Sequence, residues 1–571
     1  MNAGPTFLDL FKWYVRATPD APAIALSNST LTYRDVDLAS DRMAVVLLEH
    51  GVQPQEAVGV SVPQVDVAIC AVLAAMKAGA VVLLLDPDHP RTRRIQQVAY
   101  ARCVLVISDD KHKLTHATPN VAPGMSPAAD TVHDPVVIYG SPAYIVYTSG
   151  STGIPKGVVC SHGSLANVAL AQRKLLGIRA DDRVAVNAPF TVDAFYFEMT
   201  LALGAGACLH VPDREQRRAG PAFRRFLRER GITVLVSTPT KLRSLDPADH
   251  RSLRLMISAG EALDTGLSRQ WAPGRRLVNA YGPTEATIWA TLADISGTEP
   301  EIGLGTAIPG CRVDVLRSDL TGTGADEVGD LYISGVGLAL GYLHDPDNER
   351  FIRMPDGRRA YRTGDRAVWH TDGSLIFVGR DDDQVKVSGF RVELGEVQHH
   401  LRQHPQVGDA VVRADDGRLV AYTTPASPGG PPAEPGALRR FLADRLPAHM
   451  VPTTYVQLPA MPETGWGKVD VASLPTPAEA VSGPDGERPA GTSAEQFLVD
   501  RVGEMLGTDV DVADDLFLLG LDSILVAKLM NHVRRELDVE LEHIEVFEHP
   551  TIASLAEHIA ERNAARESAR R

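Results

Sequence analysis

The sequence predicts an α/β protein with smaller units appended behind a large one. Short apolar runs at 81–85, 144–147, 184–186, 233–236 and 255–257, each bounded by Gly, Pro, Asp or Ser, read as buried strands. Amphipathic segments between them, such as 223–230, supply crossover helices, the alternation of a sheet covered on its faces. The 571 residues, at about 100–200 per domain, make room for three or four folding units.

Taken in order, the apolar stretch 68–85 is broken by Lys77 and Gly79, so it reads as a helix followed by a strand and not as a membrane span. From Gly379 the pattern changes to a charged opening, GRDDDQ, an amphipathic helix at 394–403 and a hairpin-like run at 409–424, which fits a small α+β unit. The Pro-rich segment 425–436 reads as a surface loop of that unit and 475–491 as a linker. Beyond it, Ser493 and Gln496 have capping-box spacing and open a helix to about Leu506. Further helices at 523–537 and 552–562 complete an all-α bundle, and the basic tail ARESARR is expected to fray. There is no internal repeat.

Composition narrows the function. With 57 basic and 72 acidic side chains the net charge is −15, which gives no generic attraction to nucleic-acid backbones or anionic lipid. A mean hydropathy of −0.07 with 44% hydrophobic residues excludes a disordered or collagen-like chain. The five cysteines (70, 103, 160, 208 and 311) form no CxxC pair and no zinc-type spacing, so a reducing compartment and no structural metal are expected. The N-terminus lacks the basic region and long apolar core of a signal peptide, and a cytoplasmic location is expected.

The most informative string is YTSGSTGIPKG at 147–157. A Gly, Ser and Thr loop after a strand offers backbone N–H groups and hydroxyls suited to phosphate oxygens, although such a loop alone is equally a turn. It is not a Walker P-loop, because Pro155 and Gly157 flank Lys156 where Gly and Ser or Thr are needed.

Around this string stand others in a fixed order: KAGA at 77–80 with Asp86, Pro87 and Pro90; NAYGPTE at 279–285; YRTGD at 361–365; Gly379, Arg380, Asp382 and Gln384; Gly395 and Glu396; and WGKVD at 466–470. Together they resemble the adenylation domains of nonribosomal peptide synthetases, within the adenylate-forming superfamily of acyl-CoA ligases and luciferases. Asp514, Phe517, Gly520, Asp522 and Ser523 resemble the attachment site of a peptidyl carrier domain. A serine between a Gly-containing loop and a helix is, by itself, more often an N-cap. The resemblance implies a large N-terminal adenylate-forming subdomain with doubly wound sheets over 1–380 and a small α+β subdomain over 381–477 with its hinge at Asp382. A linker over 478–491 and a four-helix carrier bundle over 492–565 would follow. Ser388 and Leu340 depart from the family pattern, which often has Arg at both, and Leu521 stands where the carrier has a second glycine.

What the resemblance implies for each residue follows from charge. Joining a carboxylate to the α-phosphate of ATP brings anions together, so the site needs cations, oriented N–H donors and a divalent metal. Thr148, Ser149, Gly150, Ser151, Thr152, Gly153 and Lys156 would form the phosphate loop. Asn279, Ala280, Tyr281 and Gly282 would border the nucleotide, with Tyr281 stacked on adenine. Thr284 would hold the α-phosphate and Glu285 would help bind Mg²⁺. Asp365 would bind the ribose hydroxyls beside Arg380. Lys468 would reach both the carboxylate and the phosphate, then leave as the small subdomain turns, so that a thiol on a 4'-phosphopantetheine arm at Ser523 attacks the adenylate.

The run 192–198 resembles the motif whose Asp binds an α-ammonium, so Asp193 points to an α-amino acid through a charge-assisted bond of about 1.5–3 kcal/mol. The family's pocket positions fall on Asp193, Ala194, Phe197, Val236, Ile257, Ala259, Ala280, Ile288, Trp289 and Lys468. Between the charged ends every side chain is apolar, so charged substrate side chains are disfavoured. A branched aliphatic or other medium apolar amino acid is expected, with an aromatic one second.

The expected activity is therefore that of a ligase: ATP-dependent amino acid adenylation, then loading of the chain's own carrier, supplying an aminoacyl thioester to natural-product biosynthesis. No condensation or thioesterase pattern fits in this length. The expected partners are a phosphopantetheinyl transferase, trans-acting tailoring or condensation enzymes and, as in some relatives, an MbtH-like protein. Nucleic acid and membrane are not expected. An acyl-CoA-ligase-like enzyme for another acid, and a carrier scaffold beside an inactive adenylation domain, are the alternatives.

Overall fold

The computed structural model describes residues 4–108, 114, 118–122, 138–149, 155–217, 220–345, 348–381, 384–387, 389–415, 418–427, 429–462, 469–476, 491–506, 510–512, 516, 521, 523–539, 541, 545–546 and 549–570. Two compact units emerge: residues 1–150 with 155–391, and residues 392–571.

The first unit is built on three sheets. In the largest, of nine strands, Cys208–His210, Arg183–Ala185, Val234–Ser237, Leu255–Ala259 and Arg276–Tyr281 run parallel, and Thr291–Ile295 closes one side antiparallel. In the second, of seven, Ala57–Ser61, Val81–Leu84, Leu105–Ser108 and Pro142–Thr148 run parallel, with Lys156–Ser161 and Gly341–Tyr342 added antiparallel. The third is antiparallel and holds Cys311–Leu316, Val328–Gly335, Phe351–Arg353, Arg359–Trp369 and Leu375–Arg380. Each run read as a buried strand coincides with a strand to within one residue.

The stretch 68–85 shows how sequence dictates this unit. Helix Val65–Lys77 is apolar all round and almost wholly buried, as expected of a helix packed on every side. It ends at Gly79, whose φ of +71° suits a residue without Cβ, and strand Val81–Leu84 follows. Lys77, only 1% exposed, survives burial because its ammonium meets Asp37 and Asp41 at 2.6 Å each and Ser40 at 2.8 Å.

The second unit opens with helix Leu394–Arg402 and the hairpin Val407–Asp415 with Arg418–Pro425, to which Thr454–Gln457 adds in parallel. Helices Ser493–Leu506, Ser523–Leu537 and Ile552–Arg570 then enclose a core that includes Leu498, Val502, Val526, Leu529 and Leu555. Both the α/β class and the C-terminal helical bundle are as the sequence predicts.

Two local expectations are corrected. The capping box opening the first bundle helix lies one residue earlier: the Thr492 hydroxyl accepts from Glu495 N–H at 3.1 Å, and the Glu495 carboxylate accepts from Thr492 N–H at 2.8 Å. A carboxylate is the stronger acceptor for that backbone donor, and Gln496 instead donates to Asp500. The last helix, expected to end near residue 562, runs on to Arg570, since 563–570 holds no Gly or Pro to stop it. No helix among the described residues is long and apolar enough to cross a membrane.

Candidate active site

The site gathers at the carboxyl ends of the parallel strands of the nine-stranded sheet, where open α/β sheets bind ligands. Val236, Ile257, Ala259 and Ala280 lie on three adjacent strands, with Val236 beside Ile257 and Ala259 beside Ala280 in register. Ala194 and Phe197 come from helix Ala194–Leu203, and the Phe197 ring meets Trp289 edge-on with centroids 5.2 Å apart. The expected apolar positions therefore converge within one unit.

Tyr281 ends its strand, and the chain turns through Gly282 and a 3₁₀ turn, Thr284–Ala286. A Cβ on Gly282 would stand 2.5 Å from the Trp289 Cα, so only glycine fits. Thr287 and Ile288 adopt φ of +53° and +77°, unusual for β-branched residues, and the bond from Ala290 N–H to Tyr281 C=O at 2.8 Å closes the turn.

Asp365 and Arg380 face each other across two antiparallel strands and form an ion pair, and the Tyr281 hydroxyl donates to the same carboxylate. Thr363 Oγ1 accepts from the Asp365 N–H at 3.0 Å. Three residues distant in sequence thus make one polar cluster, and burial, with Asp365 alongside, pushes the Tyr281 phenol well above its usual value.

Glu285 is fully buried, and both its oxygens accept from Arg391 Nη1, at 2.9 and 3.0 Å. The Tyr342 hydroxyl donates to it at 2.6 Å. Burial opposes its charge, but Arg391 and the bonds from Tyr342 and Tyr361 outweigh burial and hold the carboxyl below its usual value. Such a carboxylate suits a cation. Among the described residues no three acidic, His or Cys groups converge, so Glu285 stands without a second protein ligand for a metal, and a Mg²⁺ there would need phosphate oxygens and water to complete its shell.

Asp193 precedes the first residue of helix Ala194–Leu203 and bonds to the Thr284 side chain. Burial raises its carboxyl to about 6, against the lowering effects of Thr284 and of Lys386 nearby, while Glu285 adds to the rise. Thr148 and Ser149 are buried; the Ser149 hydroxyl donates to Arg391 C=O at 3.0 Å. Lys156 Nζ lies 5.3 Å from the Tyr342 ring centroid, and Asn279 Nδ2 donates to Gly303 C=O at 2.9 Å. Gly150, Ser151, Thr152, Gly153, Asp382, Ser388 and Lys468 lie outside the described residues. Ser523 begins helix Ser523–Leu537, a position where partial positive charge favours the phosphodiester of a pantetheine arm.

Sequence reading missed Arg391, Tyr342 and Glu198, whose buried carboxylate accepts from the backbone N–H groups of Asn187 and Ala188. Glu198 left a signal, as the one charged residue in the helix AFYFEMTLAL. Arg391 left none, since nothing local distinguishes it from a surface arginine.

Residues 11–343 match the AMP-binding enzyme family, and residues 496–559 match the phosphopantetheine attachment site. The chain is 38% identical to novobiocin biosynthesis protein H of Streptomyces niveus, over 96% of this chain and 95% of that protein. It is 39% identical, over 97% of its length, to a stretch making up 7% of the probable non-canonical nonribosomal peptide synthetase CymA of Salinispora arenicola. Among solved structures, holo-PA1221, described as an NRPS protein containing adenylation and PCP domains bound to a vinylsulfonamide inhibitor, superposes with a TM-score of 0.81 and 27% identity, covering 98% of this chain and 97% of that one. The chain belongs to the nonribosomal peptide synthetase family as an adenylation and peptidyl carrier protein, an AMP-forming ligase that uses ATP, Mg²⁺ and a phosphopantetheine arm.

Proposed function

We propose that the chain activates an apolar α-amino acid as aminoacyl-AMP and passes it to the thiol borne by Ser523 of its own carrier, for use by separate condensation or tailoring enzymes. The observation that carries this reading is Asp193, a half-buried carboxylate bonded to Thr284 beside a wall of Ala, Val, Ile, Phe and Trp side chains. Asp193 takes the α-ammonium, which leaves the substrate carboxylate directed towards Thr284 and the nucleotide. An unpaired charge on the substrate side chain would cost several kcal/mol in that wall. Phe197 against Trp289 limits its depth and favours a medium-sized side chain.

At the nucleotide end, Asp365 accepts from the ribose hydroxyls while Arg380 and Tyr281 fix its orientation. Tyr281 offers its ring face to adenine, with Asn279, Ala280 and Gly282 alongside. The loop 148–153 with Lys156 cradles the phosphates, and Glu285 is the residue to hold Mg²⁺, which offsets phosphate charge when bound. With Lys468 delivered to the site, the substrate carboxylate oxygen attacks the α-phosphorus and pyrophosphate leaves. After rotation about Asp382 the carrier's thiolate attacks the acyl carbon and AMP leaves, so the thioester forms as the mixed anhydride breaks. A phosphopantetheinyl transferase must first modify Ser523; an MbtH-like protein is a further candidate partner.

The test is ATP–pyrophosphate exchange with a panel of amino acids, joined to intact-mass measurement of the pantetheinylated protein. Exchange confined to apolar amino acids, with a matching mass gain that Ser523→Ala abolishes, is expected. Exchange only with charged amino acids, or none with any, refutes the reading.

A further inference from the structure

Behind the amino-acid pocket lies a buried polar network to which the reaction assigns nothing. Glu198, 1% exposed, sits one turn into the helix that begins at Ala194. Its two carboxylate oxygens accept from the backbone N–H groups of Asn187 and Ala188, at 3.0–3.1 Å. These N–H groups open the loop that leads to Asp193. The Asn187 side chain continues outwards: its Nδ2 donates to Val236 C=O at 2.8 Å, and its Oδ1 accepts from Lys241 Nζ. Lys241 also donates to Arg217 C=O at 2.9 Å and rests 3.9 Å from the Phe223 ring centroid. Burial raises the carboxyl of Glu198 and lowers the ammonium of Lys241, each acting in part against the other.

A carboxylate buried in an otherwise apolar helix is unfavourable unless its bonds are needed. Here those bonds join the two walls of the pocket: the loop and helix carrying Asp193, Ala194 and Phe197, and the strand carrying Val236. We propose that Glu198 and Asn187 are positioning residues for amino-acid selection, holding Asp193 at a fixed distance from the Val236 strand and so setting the width of the pocket. This rests on the reading of Asp193 as the α-ammonium partner. Neither residue lies among those assigned to the nucleotide, which come from the 148–156 loop, the 279–285 turn and the Asp365 and Arg380 strands.

The experiment measures amino-acid and ATP dependence of exchange in the full chain for Glu198→Ala, Glu198→Gln and Asn187→Ala, with Asp193→Ala alongside. Displacing a binding group by about 1 Å costs on the order of 100-fold, so Glu198→Ala is expected to raise the amino-acid KM by about 10–100-fold while leaving the ATP KM within about twofold. The preference between two amino acids that differ by one methylene should fall towards unity. Glu198→Gln, whose amide oxygen still accepts one backbone bond, should recover part of the loss, a graded response that general destabilisation would not produce. Should Glu198→Ala fail to fold, Asn187→Ala tests the same link from the other side.

An unchanged amino-acid KM and preference in soluble, folded variants overturns the proposal, as does an equal loss in both substrates' KM. Asp193→Ala separates the two layers: if it abolishes activation while the Glu198 and Asn187 variants behave as wild type, only the positioning role fails. If Asp193→Ala activates amino acids normally, the underlying reading fails and this inference with it.

Discussion

The carboxyl of Asp193 gives the sharpest test of how the site binds its substrate. Burial raises it from the ordinary 3.8 to about 6, a rise of about 3 kcal/mol in the cost of ionisation. An incoming ammonium offsets that cost, since a charge-assisted bond in such surroundings contributes about 1.5–3 kcal/mol. Only the ionised form makes the bond. With a value near 6, Asp193 is almost wholly ionised at pH 8 and about one-tenth ionised at pH 5. The value of kcat/KM for the amino acid, which reports on the free enzyme, should therefore fall about tenfold across that range, approaching a tenfold loss per pH unit below 6. The assay is pyrophosphate exchange at saturating ATP between pH 5 and 8, repeated with Asp193→Asn, in which the inflection should vanish along with most of the activity. A profile level down to pH 5, or an inflection that persists in Asp193→Asn, refutes the assignment. An equal inflection in kcat/KM for ATP assigns it to the nucleotide end instead.

Two further outcomes follow from groups described above. Lys77→Ala leaves Asp37 and Asp41 without their shared partner at the helix junction and should lower stability by about 3–5 kcal/mol; a denaturation midpoint close to wild type would refute this. Asp365→Asn removes the charge that holds Tyr281 and Arg380 together and should raise the ATP KM by about 10–100-fold with little change in the amino-acid KM, whereas a selective change in the latter would contradict the ribose assignment.

The sheet strands were legible because apolar runs of three to five residues between turn residues have few other uses, and each falls on a strand with a parallel neighbour. The pocket and nucleotide assignments rest on resemblance alone; nothing in Asp365 or Tyr281 considered singly announces that they meet. What escaped was long-range pairing. Arg391 reaches Glu285 across 106 positions, and Thr492 with Glu495 offers the same capping spacing as Ser493 with Gln496, so spacing alone does not say which pair closes the box. Glu198 and Lys77 share an intermediate status, since one charge in an apolar helix signals a buried partner without saying which.

The bare backbone at Gly282 has an effect beyond its own turn. The chain there rests directly on Trp289, which the proposed reading places on the floor of the amino-acid pocket, so a shift of Trp289 presses on the strand end bearing Tyr281. Re-engineering Ile288 or Trp289 to admit a new monomer will then disturb nucleotide affinity as well, and specificity swaps confined to the Ala194 and Phe197 wall should be the better tolerated route.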